Sequence, residues 1–351
     1  MKTTAAIQLT NEPTLIVDDI ELPDPGPGQV SVKLVSSGVC HSQLHQMHNP
    51  AIPKPSLFGH EGAGVVTGVG EGVSHVKEGD SAIVTWVRRS PIQGRIPADP
   101  TGASYHEIPI STPVYTWSED VLTSGELVIP IGNQYPLDLV SIIGCAVLTG
   151  AGAVMNTAKV RPGESVAVYG AGGVGLCAIQ MAAILEAYPI IAVDLLDEKL
   201  EFSKKFGATH TINASVENPV EKIIEITGGG ADYAMDAIGL KLTNEQILSS
   251  TRGGGPGADN HGGMAVLIGM PGNEPMSLDP ALFMLHQRIY RGSLGATYPE
   301  KDFELFLRWF EKGKFPLDDL VTQRYRLEDI NTACSDLEKG EIFGRAIIDY
   351  Q

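Results

Sequence analysis

Cysteine is scarce in this chain. Its 351 residues include only Cys40, Cys145, Cys177 and Cys334. Four scattered thiols exclude a disulfide-stapled scaffold and suit a reducing compartment. Basic residues are also few: 25 Lys and Arg stand against 42 Asp and Glu, a formal net charge of −17. That balance argues against nucleic acid and membrane as partners, and its simplest use is solubility. No run of 18 apolar residues occurs, and no long apolar segment follows Met-Lys-Thr-Thr-Ala-Ala. A soluble cytoplasmic protein is expected. Internal repeats and low-complexity segments are missing too.

Apolar residues, by contrast, make up 43% of the chain, with 40 Gly and 23 Pro. The length suggests two domains, each with enough apolar residues for a core. Residues 1 to about 145 read as mostly β, with short runs such as Val30–Val35 punctuated by turns such as Pro23-Asp-Pro-Gly-Pro-Gly28. Residues 82–86 read as a strand, and residues 88–116 as an irregular surface lobe or loop. From about 146 strand and helix alternate. Strands are expected at 165–169, 190–194, 233–236 and 264–268, with helices at 174–184 and 199–206. Such alternation implies a parallel sheet with right-handed crossovers. Residues 251–263 are Gly-rich and polar and read as a mobile loop. A helix over 301–312 and a strand over 344–349 complete the reading.

Two sets of residues carry chemistry. Gly170-Ala-Gly172-Gly173-Val174-Gly175 follows one strand and opens a helix. In a dinucleotide fingerprint the first glycine makes the tight turn, the second admits a pyrophosphate, and the third allows close helix–strand packing. The helix N-terminus offers free N–H groups to phosphates. Asp194 ends the next strand, 24 residues after Gly170. A carboxylate there accepts from both ribose hydroxyls and repels a 2′-phosphate, which favours NAD over NADP.

The second set is Cys40, His60 and Cys145, with Glu61 beside His60 as a transient ligand or an outer partner. Two thiolates and an imidazole suit zinc. Three ligands with the fourth position open mark a catalytic rather than a structural site. Sequence separation alone does not bring them together, and a lone cysteine is more often a small buried hydrophobe. Cys177 and Cys334 read as packing residues, and His48 as a surface histidine.

Gly-Val-Cys40-His41-Ser42, Gly59-His60-Glu61-Gly62, Cys145-Ala-Val-Leu-Thr149-Gly and the glycine fingerprint resemble the zinc-dependent medium-chain alcohol dehydrogenases, in the family's order and approximate spacing over essentially the whole chain. The resemblance implies an α/β fold: a GroES-like β-rich catalytic domain over residues 1–147, a Rossmann doubly wound parallel-sheet domain over 148–291, and a C-terminal segment, 292–351, returning to the catalytic domain. The active site would lie in the cleft between domains. Cys40, His60 and Cys145 would hold one catalytic zinc. Ser42 would bond the substrate hydroxyl and His45 would relay its proton to solvent. His41 and Arg345 match positions that contact the pyrophosphate. Thr149 would face the nicotinamide, Asp194 and Lys199 would hold the adenosine ribose, and Trp86 would line the substrate pocket. The implied activity interconverts alcohols with aldehydes or ketones by hydride transfer with NAD(H), in a homodimer or homotetramer. Trp86 and apolar neighbours such as Leu294 suggest a hydrophobic alcohol.

Two departures from the family pattern stand out. Gln43 occupies a position that is usually acidic, where a carboxylate orients the histidine ligand. Residues 87–116, where many members carry four closely spaced cysteines, have none, so no structural zinc is expected. The nearest rival readings are a zinc-free quinone or enone reductase of the same superfamily and a non-catalytic NADH-binding protein. A polyol or glutathione-adduct dehydrogenase is a further rival. Arg88 and Arg89 would suit its anionic substrate, although paired loop arginines are usually solvated.

Overall fold

The residues between Gln29 and Val39 alternate sides along an 11-residue strand. Val30, Val32 and Leu34 point into a core with Ile7, Ile20, Val66 and Val121. Each such fully buried Val or Ile contributes roughly 1.5–3 kcal/mol relative to exposure. The strand pairs antiparallel with Gly62–Val69, Asp120–Ser124 and Arg345–Asp349. It is therefore the rod that delivers Cys40 at its C-terminal end.

The computed structural model describes residues 1–90 and 101–351. They form two compact units, Met1–Cys145 with Tyr298–Gln351, and Ala146–Thr297. The first unit contains, among the described residues, a five-stranded and a seven-stranded sheet. The C-terminal strand Arg345–Asp349 lies inside the larger sheet, against Gln29–Val39 and Val321–Tyr325. A second core in this unit gathers Val39, Leu44, Met47 and Phe58 with Ile330, Ala333 and Cys334.

The second unit is built on a six-stranded parallel sheet. Its order is His210–Asn213, Ile190–Asp194, Val166–Tyr169, Tyr233–Asp236, Met264–Leu267, Ile289–Gly292. The order reverses between Val166–Tyr169 and Tyr233–Asp236, and in doubly wound sheets ligands bind beyond the strand ends at that reversal. Val166, Ala167, Val168 and Tyr169 are all buried, as expected for a strand covered on both faces.

Several elements match the sequence reading closely. The helix expected from 174 spans Gly173–Ile184. That expected over 301–312 spans Pro299–Glu311, with proline in the first turn, where its missing N–H costs nothing. Residues 199–206 divide into an α-helix, Asp197–Ser203, and a 3₁₀ turn, Lys204–Phe206. The short helix His41–Met47 and the π-helical turn Ala153–Ala158 carried no periodic signal of useful length. In the expected surface lobe, residues 91–100 lie outside the described residues, and a two-residue hairpin pairs Ser104–Tyr105 with Ile108–Pro109. Among the described residues no single helix is long and apolar enough to cross a membrane.

Candidate metal centre and nucleotide cradle

Three separate local structures meet at the metal-ligand set. Cys40 is the extended residue between the strand Gln29–Val39 and the helix His41–Met47. His60 and Glu61 lie between the left-handed turn at Gly59 and the strand Gly62–Val69. Cys145 follows the 3₁₀ turn Ser141–Gly144. The ligand atoms of Cys40, His60, Glu61 and Cys145 all lie within 4.8 Å of one another, and all four residues are buried. Gly38 makes this approach possible: a Cβ there would sit 2.3 Å from the Glu61 Cδ.

The sulfur–sulfur spacing is close to that of a zinc site, while the nitrogen–sulfur pair stands at hydrogen-bond distance and would have to open by about 0.4 Å around a metal. Cys40 Sγ and Cys145 Sγ are 3.9 Å apart, and His60 Nε2 is 3.1 Å from Cys145 Sγ. A tetrahedral zinc with the usual sulfur and nitrogen bond lengths separates its ligand atoms by roughly 3.5–3.8 Å. Contact with Cys145 holds the Cys40 thiol well below the ordinary cysteine range, against the opposing effect of burial; the His60 ring and the Arg345 charge add to the pull. The thiolate is the form that ligates a metal, and a lowered pKa favours it. Cys334 is the contrast: burial and the Glu338 charge push it up to about 12. Burial likewise raises the Cys177 thiol. Both are buried and free of disulfides, and Cys334 belongs to the apolar cluster around Leu44 and Ile330.

The surrounding side chains are tied to the set. Ser42 donates to Cys40 Sγ at 3.3 Å. Gln43 reaches His60 Nδ1 at 2.6 Å through its amide nitrogen, while its oxygen accepts from the Gly59 N–H. The Trp86 ring stands edge-on to His60, centroids 6.4 Å apart, with its indole N–H buried and unpartnered. His41 and His45 face each other on the short helix at 5.3 Å, both exposed. His48 is exposed and lies 3.8 Å from Glu338. Arg345, from the first position of the C-terminal strand, forms a buried ion pair with Glu61. Arg89 pairs with Glu300.

In the second unit the glycine turn has the shape a dinucleotide needs. Gly170 adopts φ +94°. A Cβ on Gly175 would lie 1.7 Å from the Gly170 carbonyl oxygen, so only glycine lets the helix Gly173–Ile184 pack so close to its strand. Around Gly172 nothing lies within 4 Å of a Cβ position, and Gly172, Gly173 and Val174 are only partly covered. That leaves room and unpaired N–H groups for a diphosphate at a helix N-terminus. Asp194 stands beside the turn: one carboxylate oxygen accepts from the Ala171 N–H at 2.8 Å, the other from Leu195 and Leu196. Lys199 follows on the helix Asp197–Ser203. Thr149 lies on the helix Ala146–Gly152, its hydroxyl oxygen buried and unpartnered. Gly150 of that helix packs directly on the Val174 carbonyl.

Two site contacts were not foreseen from the sequence. One is the Glu61–Arg345 pair, whose partners are 284 residues apart in the chain. The other is the bond from the Gly59 N–H to Gln43 Oε1; the contact of Gln43 with His60 is the one its position in the family implies. A buried arginine flanked by Gly344 and the apolar run Ala346–Ile348 was the available signal for the first.

Comparison with known proteins agrees with this geometry. Residues 26–132 match the alcohol dehydrogenase GroES-like domain, and residues 173–312 match the zinc-binding dehydrogenase family. An NDMA-dependent alcohol dehydrogenase from Amycolatopsis methanolica is 32% identical over 97% of each chain. Among solved structures, an alcohol dehydrogenase zinc-binding domain protein from Burkholderia ambifaria superposes with a TM-score of 0.90 at 29% identity, covering 100% of this chain and 99% of that one. Benzyl alcohol dehydrogenase from Acinetobacter calcoaceticus does so with 0.88 at 27% identity over the whole of both chains. The chain belongs to the zinc-type medium-chain alcohol dehydrogenase family, and its class of activity is oxidoreduction between alcohols and aldehydes.

Proposed function

We propose that the protein is a zinc- and NAD-dependent dehydrogenase acting on a hydrophobic primary or secondary alcohol, in a reducing compartment and as a homodimer or homotetramer. The observation that carries the reading is the convergence of two buried thiols and an imidazole, with their ligand atoms within 4.8 Å of one another. Cys40, His60 and Cys145 would hold one zinc, with Glu61 able to approach as an alternative ligand when Arg345 releases it. The cysteine-free residues 87–116 support a single zinc per chain, without a structural site.

When bound, the zinc supplies Lewis acidity to the substrate oxygen and NAD accepts the hydride. The chain's own residues orient the reactants and move the proton. Ser42, which now donates to Cys40 Sγ, can turn its oxygen to accept a hydrogen bond from a substrate hydroxyl and, as it takes that proton, release its own in the direction of His45. His45, exposed one helical turn further on, would accept a proton and give it up to solvent. His45→Ala is expected to slow turnover most at low pH, where external base is scarce; equal slowing at every pH would remove it from the relay. Trp86 presents an apolar ring beside His60, which suits an aromatic or medium-chain alcohol. The family resemblance to a benzyl alcohol dehydrogenase supports the same substrate class.

The Gly170–Gly175 turn and the N–H groups of Gly172, Gly173 and Val174 would receive the pyrophosphate, assisted by His41 and Arg345. Thr149 would meet the nicotinamide; its unpartnered hydroxyl fits a ligand contact. Asp194 and Lys199 would hold the ribose. Asp194→Asn keeps the side chain's shape and removes the charge that repels a 2′-phosphate. Its preference for NAD over NADP should fall by about 10- to 100-fold in kcat/KM, the worth of one charged hydrogen bond. An unchanged ratio would take Asp194 out of cofactor selection.

A further inference from the structure

The second contact of Gln43 has a consequence for metal loading. A primary amide has two unlike ends: its oxygen only accepts and its nitrogen only donates. The Gly59 N–H can only donate, and it points at Gln43 Oε1. The amide nitrogen is thereby turned toward His60 Nδ1 at 2.6 Å, and its other hydrogen reaches Gln46 Oε1 at 3.3 Å. All three contacts agree on one orientation of the amide. Gln43 is 3% exposed and His60 8%, so water is not at hand to substitute for a lost partner.

A ring nitrogen that faces an N–H must offer its lone pair. His60 Nδ1 is therefore the unprotonated nitrogen, and a neutral ring carries its hydrogen on Nε2. That hydrogen points at Cys145 Sγ, 3.1 Å away. The chain Gly59 N–H, Gln43, His60, Cys145 is a fully paired relay that needs no metal. Yet Nε2 is the atom that joins the ligand set. To bind zinc it must give up its hydrogen and offer its lone pair, and Nδ1 must carry the proton instead. Nδ1–H would then meet the amide N–H of Gln43 head on. Relief requires the amide to rotate by half a turn, which places its nitrogen against the Gly59 N–H.

We propose that Gln43 is a positioning residue that holds His60 in the tautomer unable to bind zinc, so that the metal binds only when the Gln43 amide reverses and gives up its bond to Gly59. This rests on the zinc reading above and adds a property of this chain to it: a zinc site weaker, and faster to exchange, than one backed by an acceptor-only carboxylate.

Three forms of the full-length chain test it: wild type, Gln43→Glu and Gln43→Met. Glutamate can accept from Gly59 N–H and Nδ1–H at once. Its zinc dissociation constant, measured by competition with a chromophoric chelator, should be about 10- to 100-fold lower than wild type, the usual worth of a partner behind a ligating histidine. Added negative charge alone would also tighten zinc, so the methionine variant decides. Methionine fills similar space but neither donates nor accepts strongly, and it removes the obstructing N–H. Gln43→Met should bind zinc at least as tightly as wild type. If Gln43 instead supports the metal through its oxygen, Gln43→Met would bind zinc tenfold or more weakly, and the proposal fails. The second readout is the ring ¹⁵N spectrum of the zinc-free protein, with the His60 signals assigned by their loss in His60→Gln. Nε2–H in the zinc-free form and Nδ1–H after zinc addition is the expected pair; Nδ1–H in both overturns the lock. A wild-type chain that takes up no zinc under any condition would overturn the zinc reading itself, while zinc uptake with the opposite rank order overturns only the role of Gln43.

Discussion

Replacing Cys40 with alanine is expected to remove zinc and activity together, with kcat/KM falling by about 10⁴-fold. The magnitude follows from the role proposed for the metal. Lewis-acid stabilisation of charge on the substrate oxygen is worth several kcal/mol, and each 1.36 kcal/mol is a factor of ten. The fold should survive, because Cys40 sits at the end of a strand whose pairing with Gly62–Val69 and Arg345–Asp349 does not depend on its side chain. Metal analysis, circular dichroism and turnover of a benzylic alcohol on the same sample separate the outcomes. Folded protein without zinc and without turnover supports the assignment. Folded, zinc-free protein that still oxidises alcohols at the wild-type rate would mean that the set is a structural cluster of thiols.

The largest stability effect is expected at Arg345. Its side chain is 6% exposed and that of Glu61 is 0% exposed, and the two form an ion pair inside the first unit. Breaking such a pair by removing one partner strands a charge in a poorly solvated interior, at a cost of about 3–5 kcal/mol. Glu61 suffers further because it lies among the Cys40 and Cys145 sulfurs. Arg345→Met should therefore destabilise the first unit strongly. Glu61→Gln in the same chain should recover most of the loss, since replacing both charges is far less costly than orphaning one. Urea unfolding of the two variants and wild type measures this. Equal stability of Arg345→Met and wild type would show that the pair contributes little and that Arg345 is kept for ligand contact alone. The proposed diphosphate contact gives the same residue a second use, so cofactor binding is to be followed separately from unfolding.

Much of the architecture was legible because its signals are local. The glycine fingerprint, the apolar strand before it and the carboxylate at the end of the next strand lie within the 30 residues 165–194, and each has a steric or electrostatic reason that sequence exposes. The strand–helix alternation after 146 is equally local. The ligand types were readable too, but their meeting was not. Cys40 and Cys145 are 105 residues apart, and only the resemblance to a family placed them together. The partners behind the ligands were least visible. Arg345 reaches Glu61 because the C-terminal strand inserts beside Gln29–Val39, a pairing set by tertiary topology rather than by any periodicity. Gln43 could be recognised as a departure, but the direction of its amide depends on the Gly59 N–H, a backbone group whose aim no sequence pattern states. The helix His41–Met47 escaped notice for a different reason: seven residues are too few to show a period clearly.

The central claim is that one buried zinc sits at Cys40, His60 and Cys145. It is tested most directly by elemental analysis of the freshly purified full-length chain, alongside Cys40→Ala. The account predicts close to one zinc per wild-type chain and close to none in the variant. Zinc near zero in wild type that cannot be restored by addition would contradict it and favour a zinc-free reductase; zinc near two would show a structural site where residues 87–116 offer no cysteine.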